Sequence, residues 1–533
     1  MTSSVASALK ERTESAQETQ EETTVMTARR PGRRAVMVSA VLTQLMIVLD
    51  LTIIAIALPR MQDDLGMTVS QSPWTVTGYS LAFGGLVLFG GRLCAVVGIR
   101  RSYQVGLIGF GVASLAAGMA TSFPILLVAR VAQGCFGALL APTSQSLLNV
   151  TFTERTERER VFAIFGATGG LGAAVGLLVG GALTDWLSWR WALYINILLA
   201  AAALLIGQRS LPPADQRDRG SRITDDLTGL VLGCGACFSA VYGLDRAQQT
   251  SWTSTSTVSW LALGGIAAVL FVVRERFANR PVLPLSMMAL PVRAASYATQ
   301  FIAGAAQMGA IIYLTYYMQN HFGYSPFKSG VVFLPMVLSL IATAIPAGRV
   351  IVPRLGARGT LPLGLAILTG SFLIFSRMTT QSSYSQVALP GLIVFGIGLG
   401  LTMPVTFNSG TRGVDAKRTG LASAILIAAQ QIGGSFGVAL MTSYATQHAE
   451  DYVADHAEEV KAAAMEAMKQ AQALPQSPAG KQIIEALKAQ LVDRAQLEAY
   501  AGGFTMMAWI LAGAGAALVA CGIAVSVRRR RTR

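Results

Sequence analysis

Apolar stretches of about twenty residues recur from one end of the chain to the other, separated by connections that carry the charge. A run of about 20 apolar residues is what a helix needs to cross a hydrocarbon core of roughly 30 Å. Lipid offers the backbone no hydrogen-bond partners, so each run is expected to be helical. The runs lie at 35–59, 74–95, 103–122, 124–148, 161–185, 190–211, 225–245, 257–275, 293–319, 327–350, 360–377, 386–408, 420–444 and 504–527, fourteen in all. Only 13% of the 533 residues are charged, against roughly 25% in a soluble domain. The expected fold class is an all-α integral membrane protein with 14 transmembrane helices in a lipid bilayer.

Basic residues fall on alternate connections. Arg29, Arg30, Arg33 and Arg34 precede the first span, Arg100 and Arg101 follow the second, and Arg155, Arg158 and Arg160 follow the fourth. The pattern continues through Arg217, Arg219 and Arg222, then Arg274 and Arg276, Arg354 and Arg358, Arg412 and Lys417, and ends in Arg528 to Arg531. The opposite connections carry few, such as Arg190, Arg246 and Arg377. Cytoplasmic loops hold such an excess, so both termini are expected in the cytoplasm of a multi-pass plasma-membrane protein. The net charge of +14 is thereby a topology signal, and no nucleic-acid partner is implied.

Enzymatic and metal chemistry find little footing. Cys234 and Cys237 form a CxxC, but it lies within an apolar span without a second ligand pair. No GxxxxGK[ST] loop is present, so an ion gradient is the natural energy source. No cofactor or metal site and no catalytic residues are expected. The segment 445–503 is rich in Ala, Glu, Lys and Gln; its stripes Val460, Ala464, Met468 and Ile484, Leu487, Leu491, separated by Pro475 and Pro478, predict an external helical hairpin.

Two charges stand inside apolar runs. Asp50, in "IVLDLTIIAIALP" from Ile47, lies roughly 20 Å along the first helix counted from Ala35, past the middle of a bilayer. Arg130 lies about six residues into the fourth span, too deep to reach the interface readily. Each must find a partner or water, and intramembrane carboxylates usually serve function. One reading of Asp50 is a carboxylate fixed by a neighbour; the other, favoured here, is a protonation site facing a cavity. Thr168, Gly172, Gly176 and Gly180 recur every four residues in the fifth span, a face on which another backbone can come close.

Eight motifs occur in a familiar order: "LDLTIIAIALP" from Leu49, "GGRLCAVVGIRR" from Gly90, "LLVARVAQGCFGALLAP" from Leu126, "GLLVGGAL" from Gly176, "WRWALYIN" from Trp189, "PVLPLSMM" from Pro281, "GYSPFKSGVVFLP" from Gly323 and "GLASAILIAAQQIGGSFGVAL" from Gly420. Together they resemble the fourteen-helix drug:proton antiporters of the major facilitator superfamily. The resemblance implies two six-helix halves, 35–211 and 293–527, with two additional helices at 225–275 between them. By composition and charge, 1–34 reads as a disordered cytoplasmic tail, 445–503 as the external helical loop and 528–533 as a basic cytoplasmic tail. The resemblance implies proton-driven export of hydrophobic small molecules such as drugs or antibiotics, some of them cationic, by a monomer that alternates access. Asp50 and Arg130 would then serve proton coupling and cation recognition, whereas Gly91, Arg92, Gly98, Arg100, Gly172, Gly176, Gly180 and Gly181 would form gating and inter-half motifs. Tyr313, Tyr316, Tyr317, Gln307 and Asn408 are candidates to line the cavity.

An internal echo accompanies the resemblance: Gly91, Arg92, Gly98 and Arg100 after the second span recur as Gly348, Arg349, Gly356 and Arg358 after the tenth, with one extra residue. The chain also departs from the family. Ala95 and Val96 replace an acidic and a basic residue, Leu177 and Leu198 replace prolines, and Ala55 replaces an asparagine. A charge lock between the halves is therefore missing or rebuilt. A dedicated exporter of one native metabolite or lipid, and a membrane ligand sensor that does not transport, are the alternatives.

Overall fold

The structure is a computed structural model. It describes residues 30–67, 71, 74–208, 210–211, 226–278, 281, 283, 287–288, 290–379, 381–414, 419–456, 465–466 and 478–531. Every described element is a helix, joined by turns. In chain order they are α1 (Arg30–Leu65), α2 (Trp74–Val97), α3 (Ile99–Gly118), α4 (Phe123–Thr151), α5 (Arg155–Trp186), α6 (Trp189–Gly207), α7 (Leu227–Gln249) and α8 (Thr255–Phe277). After α9 (Pro291–Tyr316) a short helix, Pro326–Val332, leads into α10 (Leu334–Pro346). The last four are α11 (Val352–Phe375), α12 (Leu389–Thr411), α13 (Thr419–Asp455) and α14 (Pro478–Arg531).

Among the described residues, eleven helical runs are long and apolar enough to cross a membrane. One of them, Phe327–Phe375, is 49 residues long and holds both α10 and α11. Two more helices, α3 and α5, coincide with expected spans but fall outside that apolar set. Fourteen spans fit this arrangement. Large apolar side chains such as Val112, Val128, Leu198 and Val269 are more than 60% exposed, which is how a lipid-facing surface differs from that of a soluble protein.

Two large apolar cores organise the bundle. One runs from Val36 to Leu211 and recruits Cys237, Tyr297, Phe407 and Ala424 from later helices. The other is built wholly from residues between Ala303 and Leu511. At its centre Phe372, Phe375, Phe395 and Phe504 interlock, with ring centres 5.4–6.1 Å apart. Such offset and edge-on contacts are the favoured geometry for aromatic pairs.

The echo between the two halves reappears as backbone geometry. Gly98, between α2 and α3, has φ 97° and ψ 150°; Gly356, inside α11, has φ 64° and ψ 175°. Both values lie in a region that only glycine adopts without strain. Gly348 and Arg349 sit in a π turn, Ala347–Ile351, just before α11. A π turn accommodates an added residue within a continuing helix, which accounts for the extra residue in the second copy.

The segment expected as an external hairpin is described only in its two flanking arms. Both α13 and α14 extend beyond their apolar spans, to Asp455 and back from Pro478, so each arm continues a membrane helix. Leu491 and Ala495 are buried where the arm of α14 packs. Val460, Ala464, Met468 and Pro475 lie outside the described residues, as do 1–29 of the amino-terminal tail.

Candidate functional site

The site begins with glycines that let two helices close on each other. On α4, a Cβ at Gly134 would collide with the Tyr79 carbonyl and stand 2.8 Å from the Ala82 Cβ; one at Gly137 would stand 3.0 Å from the Phe83 ring. On α2, Gly90 in turn receives the backbone of Ala138. One turn before Gly134, Arg130 is carried into the space between α2 and α4. Its Nε donates to the Thr75 carbonyl at 3.0 Å, and its guanidinium carbon lies 4.6 Å from the centre of the Tyr79 ring.

Asp50 on α1 meets this arginine. Arg130 Nη1 donates to Asp50 Oδ2 at 2.6 Å, and both side chains are completely buried. Asp50 Oδ1 accepts from Asn196 Nδ2 of α6 at 2.6 Å and from Gln133 Nε2 of α4 at 3.3 Å. Gln133 also accepts from Arg130 Nη1 at 2.9 Å and donates to Ser114 Oγ of α3 at 2.7 Å. Ser114, Gln133 and Asn196 are fully buried as well. Five helices thus contribute to one closed polar cluster inside the first six-helix core.

This differs from the cavity-facing carboxylate expected for Asp50. Both its oxygens are occupied by donors and none of its surface is exposed. The carboxylate is fixed by neighbours because an unpaired charge at that depth is costly, and Arg130 and two amide donors, Asn196 and Gln133, offset part of the desolvation. Ion pairs of this kind contribute little net stability compared with apolar packing, so stability alone does not account for one here.

The glycine row of α5 faces a different neighbour from the one expected. A Cβ at Gly172 would stand 3.1 Å from Val48, one at Gly180 3.0 Å from Ile53, and one at Gly176 would collide with Thr52. All three therefore seat α5 on α1, within the same half, across the turns that flank Asp50. The reason is steric: only the glycine face lets α5 approach the branched side chains of α1. Contact with the other half falls elsewhere on α5, where Gly166 lies against Pro404 and Gly181 against Phe327. Gly91 does reach across, since a Cβ there would stand 2.7 Å from Ala424 of α13. Arg92 is 9% exposed. Arg100 donates to the Gln208 carbonyl within its own half, at 3.3 Å.

A hydrogen bond also joins α5 to α12 across the halves. Arg158 Nε donates to Asn408 Oδ1 at 3.0 Å. Gln307 accepts from Gln430 Nε2 at 3.4 Å. Tyr313 and Tyr317 belong to the second core, whereas Tyr316 is half exposed. Sequence reasoning missed Gln133, Asn196 and Ser114. Gln133 was within reach, being three residues from Arg130 and so on the same helix face; nothing in the sequence singles out Ser114.

The model of the Major Facilitator Superfamily matches residues 40–438. The chain belongs to this superfamily. It is 40% identical over 414 residues to a puromycin resistance protein of Streptomyces alboniger, covering 77% of this chain and 81% of that protein. A cephamycin export protein of Amycolatopsis lactamdurans is 34% identical over 406 residues, 76% of this chain and 83% of the relative. A tetracenomycin C resistance and export protein of Streptomyces glaucescens is 32% identical over 397 residues, 74% and 73% of the two chains. Among solved structures, the human organic anion transporter TETRAN superposes with a TM-score of 0.54 at 13% identity, over 91% of this chain and 99% of that one. That last likeness concerns the fold alone. This superfamily member is a multi-pass membrane transporter; its relatives are transporters, not enzymes.

Proposed function

We propose that the protein is a proton-driven exporter of hydrophobic antibiotics or drugs, acting by alternating access in the plasma membrane with both termini in the cytoplasm. The observation that carries this reading is the fully buried Asp50–Arg130 pair in a chain whose relatives are named for antibiotic resistance and export. A buried carboxylate is a natural place for a proton to act, since taking one up removes a charge from lipid-level surroundings. Each proton moving inward supplies about 2.3 kcal/mol per 100 mV of membrane potential.

The packing supports an indirect form of coupling. Direct competition between a cationic substrate and the proton at Asp50 would require Arg130 to leave. In the reading favoured here, protonation instead loosens Asp50 from Arg130 and alters the seat of α1 on the glycine face of α5. Helix α5 in turn rests on the opposite half at Pro404 and Phe327. Coupling then passes from the carboxylate to the gate through packed helices, with substrate bound between the halves.

The test is efflux of ethidium from cells expressing the full chain, with and without a protonophore, alongside resistance to puromycin, cephamycin and lincomycin. Efflux is expected to require the gradient and to fall to background in Asp50→Asn. Unchanged gradient-dependent efflux in that variant would remove Asp50 from the mechanism. Resistance to a single compound of the panel would favour the dedicated exporter over the broad one.

A further inference from the structure

Asp50 can take up a proton only if the donors around it tolerate one, and those donors are not equivalent. Oδ2 faces Arg130 Nη1 at 2.6 Å, and a guanidinium has donors but no acceptor to offer a carboxyl proton. Oδ1 faces two amides. The Gln133 amide is committed at both ends: its oxygen accepts from Arg130 at 2.9 Å and its nitrogen donates to Ser114 at 2.7 Å. Asn196 is different. Its Nδ2 donates to Asp50 Oδ1 at 2.6 Å, while its Oδ1 is buried and has no hydrogen-bond partner among the described residues.

We infer that Asn196 is a positioning residue that reads the protonation state of Asp50 by turning its side-chain amide. With Asp50 ionised, Nδ2 donates to the carboxylate. With Asp50 protonated, the new O–H bond lies on Oδ1, and the amide rotates by half a turn so that its spare oxygen accepts that proton. The proton is supplied from outside water in the transport cycle and leaves to the cytoplasm, so no other bond is made or broken. Both states then keep one hydrogen bond between Asp50 and Asn196, and the unsatisfied buried oxygen of the ionised state becomes satisfied in the neutral one.

The rest of the cluster fits the same division of labour. When Asp50 is neutral, Arg130 keeps the Thr75 carbonyl, the Gln133 oxygen and the face of Tyr79. The titratable groups facing Asp50 among the described residues are Arg130 of α4 and Tyr79 of α2; α3, α5 and α6 present Ser114, the Gly172–Gly180 face and Asn196. The inference rests on the proton-coupled reading above and deepens it by assigning the residue that accommodates the proton.

The experiment uses the full chain in proteoliposomes and measures the pH dependence of ethidium transport for the parent, Asn196→Leu and Asn196→Thr. Leucine can neither donate nor accept, and hydrogen bonds to charged groups are the stronger ones, so the midpoint is expected to move upward by about one pH unit. Threonine keeps a hydroxyl that can do both, so its midpoint is expected to return toward the parent's. A parent-like midpoint in Asn196→Leu would overturn the inference. Infrared difference spectra on a pH jump give a second readout for variants that transport poorly. A side-chain amide band that shifts in the parent and is missing in Asn196→Thr supports the rotation, and identical spectra refute it. Asp50→Asn run in parallel separates the two levels: gradient-dependent transport surviving there rejects the coupling role of Asp50 itself, whereas its loss with an unmoved Asn196→Leu profile rejects only the amide.

Discussion

The two halves of the bundle turn at the same kind of glycine yet bury different things. Gly98 and Gly356 share a backbone conformation closed to other residues, so the architecture is repeated. The first half, however, encloses an ion pair with amides and a hydroxyl, while the apolar core of the second is centred on interlocked phenylalanines. A repeated fold therefore does not repeat chemistry.

The sharpest way to break this comparison is to damage each centre equally. Arg130→Ala leaves a buried carboxylate without its counterion and is expected to cost about 3–5 kcal/mol of stability, together with loss of gradient-driven efflux. Phe375→Ala opens a cavity in the other core and is expected to cost a similar 3–5 kcal/mol or so, with the pH profile of the surviving transport unchanged. Denaturant unfolding in detergent and transport in liposomes measure the two quantities separately. A shifted pH profile in Phe375→Ala would show that the second half shares in proton handling.

A smaller effect tests the repeat itself. Gly98→Ala and Gly356→Ala each force a Cβ into a glycine-only region and are expected to lose on the order of 1–3 kcal/mol, by similar amounts. If one substitution is silent, the two turns are not equivalent in energy even though they match in shape.

The smallest effect lies at the carboxyl-terminal end of α1. Asp64 accepts from Arg190 Nη1 at 2.6 Å and from the Trp189 indole at 3.0 Å. Those hydrogen bonds, the Arg190 one first, hold its carboxyl below the ordinary value of 3.8. A carboxyl depressed in the folded protein stabilises it above the unfolded value and loses that contribution as pH falls through the folded one. Asp64→Asn is thus expected to lower the melting temperature slightly at neutral pH, the difference from the parent shrinking as pH drops below about 3.8. Both side chains are substantially exposed, at 48% for Asp64 and 32% for Arg190, so solvent screening keeps the effect small. A difference that persists undiminished in acid would mean that Asp64 acts through packing rather than charge.

Hydropathy by itself determined that the chain is helical and membrane-embedded and located its spans, because lipid leaves the backbone no other way to satisfy its hydrogen bonds. It also marked Asp50 and Arg130, since a charge inside an apolar run is conspicuous without any knowledge of its neighbours. Motif order was enough to name the superfamily. Only the tertiary structure decided that those two charges meet each other across 80 residues of chain, and that Asn196, 146 residues from Asp50, completes the cluster. It likewise turned Gly172, Gly176 and Gly180 toward α1 instead of the opposite half. The reason is geometric: helical periodicity fixes which residues share a face, but which helix that face meets depends on how the helices pack around one another.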